Sequence, residues 1–197
     1  MEENNLKSAI EALIFASEKP ITVDQIKKVL DLDTAGVNKI VENLKAEFDA
    51  GNRGIRIIEI AGGFQMITSN TFAPFLKKLF KNRYSDKLSK PALESLAIIA
   101  YKQPLTKAEI ESLRNVNVDG VMKSLTEKNL IRICGRKKVP GRPFVFGTTR
   151  EFLEHFGLKS LQDLPKMDDF TTMAQEKEAQ DTIEPIDQAD PEVKNES

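Results

Sequence analysis

Cysteine occurs once in the 197 residues, at Cys134, histidine once, at His155, and tryptophan not at all. A single cysteine permits no disulfide within the chain, which suits a reducing cytoplasm. One histidine and one cysteine are too few for a structural zinc site and leave no material for a histidine-based triad. His155 sits in REFLEHFGL among Phe152, Leu153 and Phe156 and reads as a packed structural side chain. Cys134 follows Ile131 and Ile133 in an apolar alternation and reads as a small core residue. Long apolar runs are missing as well: IEALIFA and LAIIAY fall short of a membrane span. The first residues are acidic ahead of the first apolar stretch, the reverse of a secretory signal. Carboxylates are scattered among lysines, as on solvated helix faces. No catalytic group, metal or cofactor is expected, and no membrane association.

The net charge of −1 hides an uneven distribution. Residues 163–197 hold 11 acidic and 3 basic side chains, leaving 19 acidic and 26 basic in residues 1–162. A body of net +7 therefore carries a tail of net −8. That tail is poor in large apolar residues and cannot bury enough surface to offset chain entropy. The expectation is a disordered acidic tail over residues 166–197.

An internal repeat organises the body. PITVDQIKKVLDLDTAGVNKIV starts at Pro20, and PLTKAEIESLRNVNVDGVMKSL starts 84 positions later at Pro104. Thr22 matches Thr106, Ile26 matches Ile110, and Gly36-Val37 matches Gly120-Val121. Each copy has the same order: an apolar helix, a helix that Thr22 or Thr106 can cap, a third helix, then an alternating hairpin. In the first copy the helices fall near Leu6–Ser17, Val23–Leu30 and Thr34–Ala50, and Gly62-Gly63 offers the hairpin turn. Three helices and a hairpin make a winged helix, so the fold expected is mainly α with small β-hairpins, as two tandem winged-helix domains.

The second hairpin contains GRKKVPGRPFVFGTT, Gly135 to Thr149. Its glycines resemble a phosphate cradle, but a P-loop needs G-x-x-x-x-G-K-[ST] between a strand and a helix. Here the spacing is wrong and a strand follows. Pro140-Gly141 suits the centre of a type II turn, and Phe144 and Phe146 are expected to face the core. Arg136, Lys137, Lys138 and Arg142, with Arg150 just beyond, form a basic wing suited to an acidic protein surface or to DNA phosphates.

Winged helices that read DNA use a cationic third helix. Neither third helix contains arginine, and their lysines alternate with Glu42, Glu47, Asp49, Asp119 and Glu127. Sequence-specific readout is disfavoured; weak, non-specific DNA contact stays open through the wing. The first helix instead points to a protein partner. Leu6, Ile10, Leu13 and Ile14 make one stripe, and Phe15 with three alanines widens it beyond what one core needs. Leu6, Ile10, Leu13 and Phe15 are the candidate dimer contacts. On the equivalent helix of the second copy, Leu93, Leu96 and Ile99 are candidate partner anchors, with Tyr101 at a wet rim. Burial between the two modules is the plainer reading of both helices.

PALESLAIIAYKQPLTKAEIESLRNVNVDGVMKSL, followed by GRKKVPGRPFVFGTTREFLEHFGLKSLQDLP, resembles the segregation and condensation protein B family of bacteria. The likeness runs from about Leu6 to Pro165. It implies a winged-helix domain in residues 1–85 that forms a homodimer and a second in 86–165, taken as the binder of the kleisin subunit, segregation and condensation protein A. It further implies association through the kleisin with an SMC ATPase, a role in chromosome condensation and partition at the nucleoid, and no catalytic activity. A transcriptional regulator with two winged helices is the alternative.

Overall fold

The computed structural model describes residues 3–80 and 87–166. The expected disordered tail lies almost wholly outside the described residues. The first module runs α1 (Glu3–Ala16), α2 (Val23–Leu30), α3 (Thr34–Ala50), β1 (Ile55–Ile60), β2 (Gly63–Thr68) and α4 (Ala73–Leu79). The second runs α5 (Lys90–Lys102), β3 (Leu105–Thr106), α6 (Lys107–Arg114), α7 (Asp119–Glu127), β4 (Ile131–Arg136), β5 (Phe144–Thr148) and α8 (Arg150–Phe156). These are two winged helices, and both lie in one compact unit of residues 1–163.

The 84-residue repeat is carried in the caps. Thr22 Oγ1 accepts the Gln25 N–H at 3.3 Å, and Gln25 Oε1 accepts the Thr22 N–H at 2.8 Å. Thr106 and Glu109 repeat both bonds at the same distances. Each is a capping box that satisfies two of the amides a helix start leaves over. The ends match too: Asp31 and Asn115 take left-handed angles, φ 52° and 54°. These polar residues close their helices where glycine would be the usual choice.

Each module buries its own core. In the first, Ile10, Ile14, Ile26, Val37, Val41 and Leu44 are buried together, capped by Phe48, Ile57 and Phe64. In the second, Leu96, Ile99, Ile110, Val118, Leu125 and Ile131 are fully buried. The first hairpin turns at Ala61-Gly62, one residue earlier than expected, because Ile60 pairs with Gly63. Both turn residues have positive φ, 49° and 70°, as a type I′ turn requires. Gly63 is needed for another reason: a Cβ there would approach the Ile21 carbonyl oxygen to 2.7 Å, where Ile21 bridges to Phe64.

The second sheet has the order β3-β5-β4, with β4 at an open edge. Its turn follows expectation: Arg142 N–H donates to the Val139 carbonyl at 2.9 Å, around Pro140 and a Gly141 with φ 80°. Two expectations fail. A register shift between Ile133 and Gly135 makes a bulge at Cys134, and that thiol is exposed rather than core. Phe144 is 42% exposed, under the Arg136 guanidinium at 3.9 Å from the ring centre. The wing projects past the core at that point, so a cation covers the ring instead.

Ile10→Ala should destabilise the protein by about 2–5 kcal/mol, because the site is closed on all sides. Phe15→Ala, on the exposed side of α1, should change the stability of the monomeric chain, measured at concentrations too low for association, by less than about 0.5 kcal/mol. Denaturant unfolding monitored by far-ultraviolet circular dichroism distinguishes the two.

Candidate functional site

The candidate dimer residues on α1 divide. Ile10 is buried in the module's own core, and Leu6 and Leu13 are half-buried against it. Ile10 is therefore no surface contact. Phe15 stands 75% exposed and is the member of the set that faces away from the core. The partner anchors on α5 divide in the same way. Leu96 and Ile99 are core, while Leu93 is 42% exposed and Tyr101 is half-buried. Leu93 does not stand alone. Arg114 on α6 donates to the Pro91 carbonyl at 2.8 Å and the Ser95 hydroxyl at 2.6 Å, and pairs with Glu94 at 2.7 Å. The end of α6 is thereby drawn beside the start of α5, bringing the exposed Leu113 and Val116 to the same end of the module.

The expected basic wing is smaller than the sequence implied. Lys137 forms an ion pair with Glu109, the capping carboxylate of α6. Arg136 is engaged with Phe144 and donates to the Arg142 carbonyl at 3.1 Å. Arg150 is not part of the wing. It opens α8, and its guanidinium donates to the Pro20 carbonyl of the first module at 2.7 Å. Arg132, which the wing reading omitted, lies exposed on β4 and completes the cationic edge with Lys138 and Arg142.

A surface the sequence reading missed is α4. Phe72 at its N-cap and Phe75, Leu76 and Leu79 within it recur at helical spacing. Phe75 and Leu79 are largely exposed. The third helices carry no cationic face: Lys45 pairs with Glu42 at 2.8 Å, Lys123 with Glu127 at 3.9 Å, and Lys107 of α6 with Asp119 of α7.

The family model for the segregation and condensation complex subunit ScpB matches residues 8–167. The chain belongs to the ScpB family. Segregation and condensation protein B of Syntrophotalea carbinolica is 45% identical over 91% of this chain and 90% of its own length. That of Clostridium tetani is 39% identical over 90% of this chain and 95% of its own length. Among solved structures, ScpB from Mycobacterium tuberculosis is 33% identical, covers 80% of this chain and 98% of its own, and superposes with a TM-score of 0.40. A dimer of an ScpB N-terminal domain complexed with an ScpA peptide is 32% identical, covering 39% of this chain and 95% of its own, with a TM-score of 0.37. ScpB is a complex subunit and not a known enzyme family. Among the described residues no helix is long and apolar enough to cross a membrane.

The Glu109 contacts give a pH test. The Lys137 ammonium, followed by the Thr106 amide and hydroxyl, lowers the Glu109 pKa from 4.5 to about 2. A depressed folded-state pKa contributes stability above the unfolded value, lost as pH falls through the folded one. The contribution should thus be complete above about pH 5 and decline toward pH 2. Glu109→Gln should flatten that part of the stability–pH curve and leave the slope above pH 6 unchanged, as thermal melts across the range would record.

Proposed function

We propose that this chain is a non-catalytic subunit of a bacterial SMC–kleisin condensin, acting in chromosome condensation and partition during cell division. It dimerises through its first winged helix, residues 1–85, and holds the kleisin, segregation and condensation protein A, on its second, residues 86–165. The SMC ATPase is reached through the kleisin, in the cytoplasm at the nucleoid. The observation that carries this reading is ScpB family membership across residues 8–167. The third helices, whose Lys45 and Lys123 are paired with carboxylates and which carry no arginine, support a protein platform over an operator-reading regulator. Phe15 supports the dimer assignment and Leu93 the partner assignment, being the exposed member of each set.

Co-expression with the kleisin tests the proposal. The two chains should co-elute, and Leu93→Asp should weaken capture by about tenfold or more while leaving the dimer intact; truncating an anchor of this kind costs 2 kcal/mol or more. Phe15→Glu should move the mass measured by light scattering toward monomer with helical content preserved. Failure of the chains to co-elute would refute the function. Undiminished capture by Leu93→Asp would refute only the assignment to α5.

A further inference from the structure

The outer edge of β4 is unpaired among the described residues, and its shape and charge are specific. Hydrogen-bond parity gives the direction of its backbone groups. Thr149 N–H donates to the Leu130 carbonyl at 3.3 Å below the bulge, and Lys137 N–H donates to the Pro143 carbonyl at 2.9 Å above it. Antiparallel strands alternate bonded and non-bonded pairs. The pairs Ile133↔Phe146 and Arg136↔Phe144 are therefore of the non-bonded kind, and Ile133 and Arg136 turn their N–H and C=O groups to the open edge. Ile133 is 51% exposed, unusual for the middle of a strand. It shares a face with the exposed Phe144, and Phe146 floors an adjoining groove of about 320 Å³ against α7. Arg132 faces the other way, and Lys138 and Arg142 stand at the tip.

We propose that the β4 edge is a docking site for an extended segment of a partner protein with alternating apolar and acidic residues, added as a fourth strand. Main-chain bonds to Ile133 and Arg136 supply affinity, and the alternating side chains supply selectivity. Apolar positions meet Ile133, on the face where Arg136 covers Phe144; the intervening carboxylates meet Arg132 and the tip cations. Charge decides against the other occupants. A second copy pairing edge to edge would set like charges opposite one another. A nucleic acid seated against wing and helix would meet Asp119 and Glu127 in the groove, where Lys107 and Lys123 are already paired. The site lies on a different element from the α5 surface and does not rest on the kleisin assignment.

An array of peptides of about nine residues, a usual strand length, tests this with the full chain. Odd positions carry Val, Ile, Leu or Phe, and even positions carry Asp, Glu or Ser. Alternating peptides should bind better than scrambled ones of equal composition. N-methylation of alternate amides in the best binder should weaken it about tenfold or more, without any change to the protein. Arg132→Glu with Lys138→Glu should also cost about tenfold, two exposed pairs together, and amide shifts on binding should centre on Ile131–Arg136. Binding that ignores sequence order or N-methylation, or shifts that centre elsewhere, would overturn the proposal. So would displacement of the peptide by a duplex of about 20 base pairs, which would make the edge a phosphate surface.

Discussion

The threonine that opens the second helix of each module is the joint from which the rest of that module is placed. Its cap contributes only about 1 kcal/mol, less than the burial of one isoleucine. Its importance is positional. Beside Thr22, Ile21 exchanges two backbone hydrogen bonds with Phe64, at 2.9 and 2.8 Å. Thr106 itself pairs with Val145. The chain passes from sheet to helix within a residue, so wing and helix are oriented by the same bonds. With that direction set, Ile26 and Ile110 fall into the centres of their cores. In the second module the capping carboxylate has a further partner, since Glu109 also holds Lys137 on the wing. Helix start and wing are thereby joined at two heights.

This frame explains why a fold associated with DNA is used differently. A winged helix that reads DNA presents its third helix and its wing as one cationic surface. Here the two have different character. The α7 face is internally neutralised, and Lys137 and Arg150 are engaged by Glu109 and by the Pro20 carbonyl. What remains cationic is a strand edge, with exposed apolar residues between the charges. An edge strand normally invites indiscriminate pairing, and positive side chains and a bulge are among the devices that limit it. On β4 both devices are present, and they restrict the edge to acidic partners.

Much of this was legible in the sequence because it depended on local rules. The 84-residue repeat, the capping threonines, the bounds of α2 and α3 and the Pro140-Gly141 turn follow from short-range chemistry. The faces of α1 and α5 did not. Both helices are apolar nearly all round, so periodicity selects no single inward stripe. The repeat itself misleads there: Phe15 aligns with Ile99, yet one is exposed and the other fully buried. The helices have turned relative to their modules, and only tertiary packing records that. Phe144 keeps the side its alternation gives and is exposed because the wing runs past the core, whereas Cys134 was misplaced by the bulge. Alternation assigns sides correctly only while the register holds, and the bulge after Ile133 changes it. Arg150 was grouped with the wing by nearness in sequence, when a strand end and a helix cap at Thr149 intervene.

Arg150 also shows what kind of junction unites the modules. Beside its bond to Pro20, the Ala61 N–H donates to the Leu158 carbonyl at 2.9 Å, and ion pairs join Lys19 to Glu151 and Lys159 to Glu59, each at 3.2 Å. Every one of these contacts is polar. The core cluster of the first module includes no residue of the second, so the two hydrophobic cores do not merge. Exposed ion pairs contribute little; the two hydrogen bonds to backbone carbonyls matter more, because a carbonyl left dry and unpaired is costly. Water can replace those partners if the modules part, whereas nothing replaces a lost apolar core. The junction these bonds make is polar, and each winged helix has a buried interior of its own. The surfaces at Phe15 and along β4 lie on different modules and share none of these bonding partners, so substitutions at the two should combine additively.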